Sequence, residues 1–228
     1  MDAHHLAYEQ ELRSRSRLSP SAIARRTLDL LIAVLAIVLL LPFLLLICLL
    51  IWLDSPGPVI FRQLRLGRDL KPFTVRKFRT MSIDADPQPH REYVRGLIAG
   101  DRESPRHGDA RLFKLVVDGR ITRVGRMLRR LSLDELPQLW NVVRGDMSLV
   151  GPRPVIPYEV DHYPGWYRER FAVKPGMTGL WQVSGRNERT YEEMVRFDVE
   201  YVRRESLWLY LGILFKTAWV VFLRRGAA

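Results

Sequence analysis

A single cysteine, Cys48, among 228 residues excludes an intrachain disulfide and a thiolate metal site. Its place inside an apolar run assigns it to packing. Histidine is scarce too: His4, His5, His90, His107 and His162 form no i, i+4 pair with an interposed acid, so the zinc-protease pattern is missing. Negative charge is in deficit, with 25 acidic against 36 basic residues and a formal net charge of +11. That imbalance calls for acidic partners, whether nucleic acid, anionic lipid or phosphorylated substrates, and does not choose among them. No internal repeat is apparent, and the length allows one ordinary domain with appendages.

Charge is missing altogether from Leu30 to Leu53. At ~1.5 Å per residue this run makes roughly 36 Å of helix, enough for a hydrocarbon core of about 30 Å. No small-residue cleavage site follows Trp52 and Leu53, which argues against a signal peptide. Basic residues flank both ends: a basic segment, 1–29, with Arg13, Arg15, Arg17, Arg25 and Arg26, and then Arg62, Arg65 and Arg68. A crossing helix keeps most nearby positive charge on one side. The Leu41-Pro42 pair lies at the midpoint, where proline removes an N–H and kinks a helix. The expectation is therefore a re-entrant membrane helix over 30–53 with both ends cytoplasmic, the alternative being a straight single pass. Asp54-Ser55-Pro56-Gly57-Pro58 ends it.

Downstream, Val59 to Phe61 and Phe73 to Met81 read as short strands, and Ser82 to Gly119 as a charged surface excursion with weak helical pattern around Glu92 to Ile98. Ile121, Val124, Leu128 and Leu131 form the apolar face of a basic helix, suited to anionic headgroups or to an ordinary core. Lys174 to Gly179 predicts a turn, Leu180 to Val183 a strand, Ser184 to Asn187 a second turn, and Tyr191 to Arg204 an amphipathic helix. Leu207 to Leu223 is apolar but interrupted by Lys216. Trp208, Tyr210 and Trp219 favour an interfacial helix over 207–228 rather than a second span.

The centre of the chain is Arg129 to Arg153, where Asp134 and Glu135 sit among arginines. Ser132-x-x-Glu135 fits a capping box, and capping alone would account for Glu135. It would not account for Arg129, Arg130, Arg144 and Arg153 around the pair, with Gly145, Gly151, Pro152 and Pro154 bending the chain. Such a composition suits an anionic ligand with a divalent metal.

These residues resemble the bacterial sugar transferase family. The likeness is carried by the LDSPGP exit (53–58), KFRTM (77–81), RITRVGRMLRRLSLDELPQLWNVVRGDMSLVGPRP (120–154) and VKPGMTGLWQVSGRN (173–187). Four motifs in one order make chance agreement very improbable. The resemblance implies a monotopic enzyme that passes a sugar-1-phosphate from a UDP-sugar to undecaprenyl phosphate, releasing UMP, as the first membrane step of exopolysaccharide, O-antigen or glycoconjugate assembly. It implies Asp134 as nucleophile and Glu135 as the Mg²⁺ ligand, with Arg129, Arg153 and Arg186 on phosphate and Lys77 and Arg79 in the basic strand motif. Departures are small: Asp118-Gly119-Arg120 stands where many members have Asp-Pro-Arg, and Leu41 where some place a serine before the proline.

The fold class expected is α+β and mainly helical. A small cytoplasmic catalytic domain, 54–206, would be anchored to the bacterial inner membrane by the kinked helix and by interfacial helices. Partners would be the two substrates, membrane lipids and downstream glycosyltransferases, with no nucleic acid and with oligomeric state open. Two other readings use the charge differently: a membrane-tethered nucleic-acid-binding protein, which gives the acidic pair no task, and a lipid-binding scaffold without turnover.

Overall fold

The computed structural model describes residues 19–83, 119–185 and 190–222, with positions 88, 92, 95, 96 and 98 between them. Its longest element begins well before the uncharged run. Ser19 caps it by accepting from the Ala22 N–H at 3.2 Å, and Pro20 takes the first turn, where a missing N–H costs nothing. This helix, α1, runs Pro20–Asp54 and continues through Pro42. Residues 20–29 are thus one element with the apolar run rather than a separate segment. The reason is tertiary. Arg26 donates to the Val142 and Val143 carbonyls at 2.6 and 2.9 Å, and Arg25 pairs with Glu205 at 3.0 Å.

Two strands follow. β1, Ile60–Leu66, and β2, Pro72–Phe78, pair antiparallel from Ile60↔Phe78 to Leu66↔Pro72. β1 runs five residues past the expected end at Phe61, because the whole of FRQLRL finds partners along β2. Residues 84–118 fall almost wholly outside the described residues, although positions 92, 95, 96 and 98 are helical and Ile98 packs on the second core cluster.

Helix α2, Arg123–Arg130, is capped by Thr122, whose hydroxyl accepts from Gly125 N at 3.0 Å. It starts later than the periodicity predicts, since Ile121 instead bridges to Met81. A 3-10 segment, Leu133–Gln138, leads into α3, Leu139–Arg144, which Gly145 ends at φ +86°. β3, Ser148–Val150, pairs parallel with β4, Gly176–Thr178. The strand therefore lies where a turn was predicted, and Leu180 to Val183 is turn. A close backbone approach explains the exchange: a Cβ on Gly176 would stand 2.0 Å from Gly151 N, so only glycine lets these two stretches meet.

After α4, Pro157–Val160, and a 3-10 stretch, Gly165–Ala172, come α5, Tyr191–Arg203, and α6, Leu207–Phe222. Here a capping box does form: Glu193 N donates to Thr190 Oγ1 at 3.3 Å, and Thr190 N donates to Glu193 Oε2 at 2.8 Å. The fold is mainly helical, with small sheets and one long apolar helix near its N-terminus.

Three clusters form the core. The first gathers Ala33 of α1, Val75 of β2, Val142 of α3, Met147, Tyr210 and Ile213. The second is aromatic and holds Tyr163, Tyr167, Phe171, Trp181 and Tyr191. The third joins the far end of α1, at Ile47 and Ile51, to Phe78 and Leu128. Tyr210 corrects its expected place at a headgroup interface: it is fully buried and donates to Asp29 Oδ1 at 2.7 Å. Trp208, Phe215 and Trp219 stay exposed on the opposite face of α6.

Candidate active site

Asp134 and Glu135 lie in the 3-10 segment, not in the first turn of an α-helix. Ser132 has φ +55°, in the left-handed region, and makes no capping hydrogen bond. Pro137 lacks the N–H that would extend an α-helical ladder from this point. The expected capping box is thus not formed. Glu135 is engaged by β2 instead: Lys77 Nζ lies 2.6 Å from its Oε1. Both groups are partly open, at 25% and 37% exposed, and Asp134 beside them is half-buried.

β2 owes its position to a side chain. Asn141 of α3 is fully buried, donates to Thr74 O at 2.7 Å and accepts from Arg76 N at 3.1 Å. One amide thereby serves as a neighbouring strand would, and Lys77 follows directly after. Arg129, in the last turn of α2, is held by its Nε on Thr80 Oγ1 at 2.9 Å. Two residues of the KFRTM motif therefore address the acidic segment and its neighbour: Lys77 reaches Glu135, and Thr80 orients Arg129.

Arg79 goes elsewhere. Its terminal nitrogens donate to the Ser55 and Pro56 carbonyls at 2.6 and 2.5 Å, which pins the turn leaving α1. It is 6% exposed, with both terminal nitrogens taken by these carbonyls. Gly57, at φ +109°, leaves room for it, since a Cβ there would meet Arg79 Nη1 at 2.7 Å. Arg186 lies outside the described residues.

Arg153 is half-buried in the stretch after β3. Near it stands a residue to which the sequence reading gave no role in the site: Arg65 of β1, 7% exposed, with Nη1 donating to Pro154 O at 2.9 Å. Burial, and then the like charge of Arg153, push the Arg65 guanidinium down to about 10, with Glu159 the largest charge pulling the other way and Glu135 the smallest. Arg65 and Arg153 thus stand close enough for their charges to repel. The inward-facing alternation of Gln63 and Arg65 along a strand was the signal available for this.

The arrangement can bind an anion between cationic side chains, present a carboxylate to it, and hold a cation on a second carboxylate. Comparison with known proteins agrees with that chemistry. A family model described as bacterial sugar transferase matches residues 20–224. A UDP-galactose-lipid carrier transferase of Erwinia amylovora is 48% identical over 91% of this chain and 42% of its own length. An undecaprenyl-phosphate galactose phosphotransferase of Salmonella typhimurium is 42% identical over 91% of this chain and 42% of its own. The exopolysaccharide production protein ExoY of Sinorhizobium fredii is 42% identical over 90% of this chain and 88% of its own. The chain spans less than half the length of the first two relatives. With the family model covering nearly all of it, this chain belongs to the bacterial sugar transferase family.

Proposed function

We propose that this protein transfers a sugar-1-phosphate from a UDP-sugar to undecaprenyl phosphate, releasing UMP, at the cytoplasmic face of a bacterial inner membrane. Its product would start an exopolysaccharide, O-antigen or other glycoconjugate and pass to downstream glycosyltransferases. The observation that carries this reading is the acidic pair held between β2 and α2, with Lys77 on Glu135 and Arg129 oriented by Thr80.

In the proposed first step an Asp134 oxygen attacks the phosphorus bearing the sugar, and the bond from that phosphorus to the bridging oxygen breaks, so UMP leaves. In the second step a phosphate oxygen of the lipid attacks the same phosphorus and the carboxylate departs. Splitting the transfer in this way gives two displacements that are each easier. Attack of one anion on another needs cations close by, which Lys77, Arg129, Arg153 and Arg186 would supply.

Glu135 would hold Mg²⁺. Its carboxylate already carries a cation, the Lys77 ammonium, and no group of three metal-binding side chains gathers among the described residues. That donor set suits Mg²⁺, which one or two carboxylates hold together with substrate phosphates. When bound, the ion would neutralise phosphate charge at the reacting centre.

The course of α1 supports a re-entrant anchor. Asp29 and Ala33 near one end, and Ile47 and Ile51 near the other, bury against the same folded unit. Val38, Leu39, Leu41 and Leu45 between them are exposed. A straight crossing would separate Asp29 from Ile51 by roughly 33 Å at ~1.5 Å per residue, one on each side of the bilayer. Labelling of cysteines placed at 10 and 60, in a Cys48→Ser background in intact cells, tests this, and protection of only one of them would refute it.

The chemistry is tested with purified protein, Mg²⁺, UDP-galactose or UDP-glucose and undecaprenyl phosphate. Asp134→Asn should abolish both UMP release and a phosphosugar adduct on the peptide bearing position 134. Full turnover in that variant overturns the assignment.

A further inference from the structure

The stretch from Gly151 to Val155 contains two prolines and so is poor in N–H donors, yet four successive carbonyls in it are each taken by a different donor. Pro152 O accepts from Gly176 N at 2.8 Å, and Val155 O from Leu66 N at 2.8 Å. Between them, Arg153 O accepts from Arg170 Nη2 at 3.3 Å and Pro154 O from Arg65 Nη1 at 2.9 Å. The outer two bonds are backbone contacts of the kind any loop makes. The inner two use guanidinium groups that are 5% and 7% exposed.

Burying a guanidinium costs free energy unless its remaining donors are satisfied, and each of these has its own holder, with only Nε of Arg170 left without a hydrogen bond. Arg65 donates Nε and Nη2 to Gln63 Oε1 at 3.0 and 2.7 Å. Arg170 is ion-paired with Asp198 and donates to the Tyr163 hydroxyl at 3.2 Å. The Arg153 carbonyl is therefore held by Arg170, itself paired with Asp198, while Arg65 fixes the next carbonyl.

We infer that Arg65 and Arg170 are positioning residues that set the Arg153 side chain for phosphate by clamping its backbone, an inference that rests on the phosphate-binding role proposed above for Arg153. Neither touches substrate. The planar fork of arginine suits this task, because it can bond a holder on one side and a carbonyl on the other at a fixed angle. Lysine keeps the charge and loses that geometry. A side chain held in its binding rotamer before ligand arrives loses less freedom on binding, so the clamp raises affinity without adding a contact.

The test is UDP binding in Mg²⁺, by calorimetry on the full chain in detergent, for the native protein, Arg153→Ala, Arg65→Lys, Gln63→Met and each of the last two combined with Arg153→Ala. Arg65→Lys and Gln63→Met should weaken UDP binding at least fivefold in the native background and less than twofold once Arg153 is alanine. Equal losses in both backgrounds, or no loss in the native one, overturn the clamp while leaving the role of Arg153 standing. Native-like binding by Arg153→Ala alone overturns the phosphate reading, and the clamp falls with it. Arg170→Lys joins the series with its thermal midpoint recorded. Should it or Arg65→Lys fail to fold, Gln63→Met decides, since it removes only a tether.

Discussion

The Lys77 ammonium rests on the Glu135 carboxylate at 2.6 Å, joining β2 to the 3-10 segment that carries the acidic pair. Both groups are partly solvated, so the pair itself stabilises the fold by no more than about 1 kcal/mol. Its consequence is functional: if Glu135 holds Mg²⁺ as proposed, Lys77 and the ion would compete for one carboxylate. In Lys77→Met the thermal midpoint should barely move, Mg²⁺ should bind more tightly in a titration by calorimetry, and UMP release at saturating Mg²⁺ should fall at least tenfold for want of the cation. Unchanged Mg²⁺ affinity in that variant would separate Glu135 from the metal.

Asn141 sits under the same strand. Truncation to alanine leaves the Thr74 carbonyl and the Arg76 N–H without their partner. At roughly 1–3 kcal/mol per stranded group the cost is about 2–6 kcal/mol. A midpoint drop of roughly 4–24 °C follows for a chain of this size. Asn141→Asp restores the acceptor for Arg76 N but not the donor to Thr74 O, and should fall between native and alanine in the same melt.

The acidic pair, the arginines around it, the apolar helix and its end at Asp54 were legible in the sequence because they are local patterns. Much of the rest depends on what lies across the fold. Ser132-x-x-Glu135 and Thr190-x-x-Glu193 are the same pattern, yet only the second caps a helix, since Pro137 and the left-handed Ser132 turn the first into a 3-10 segment. Tyr210 reads as an interfacial aromatic until Asp29, 181 positions earlier, is seen to bind it. Arg79 has the composition of a phosphate ligand, and only the approach of the Ser55-Pro56 turn shows its use. The turn and strand around residue 178 exchange places because β4 pairs with β3, a partner about 28 residues away that no local propensity names.

Asp29 ties three parts of the molecule together through one oxygen. Oδ1 accepts from Leu149 N at 2.8 Å, Ser148 Oγ at 3.1 Å and Tyr210 OH at 2.7 Å, and so binds α1 to β3 and α6. Asp29→Ala leaves these donors without an acceptor and should cost about 3 kcal/mol or more. Asp29→Asn keeps an oxygen there and should lose less. Tyr210→Phe removes a single donor and should cost about 1 kcal/mol. A detergent melt followed by tryptophan fluorescence ranks the three, and Asp29→Ala equal to native would show that the contact carries no load.

Asp198 makes the grip on Arg153 sensitive to acid. Burial pushes its carboxyl up to about 6, against the pull of Arg170 and Arg153. Around it the charged and titratable neighbours are Arg170, Arg153, Glu159, Tyr163 and Tyr191, and both tyrosines are pushed upward by burial and so stay neutral in this range. An unfolded aspartate gives up its proton near pH 4. Between about 4 and 6 the folded state therefore binds more protons, and this group favours folding increasingly as the pH falls. The chain should not unfold on this account. Arg170, however, loses its ionised partner, and the hold on the Arg153 peptide slackens. The KM for the UDP-sugar should then rise below pH 6 in the native protein, with the melting midpoint steady. Asp198→Asn should start with the raised KM at pH 7.5 and lack that added rise. Two KM profiles of the same shape would show that the carboxylate plays no part in setting Arg153.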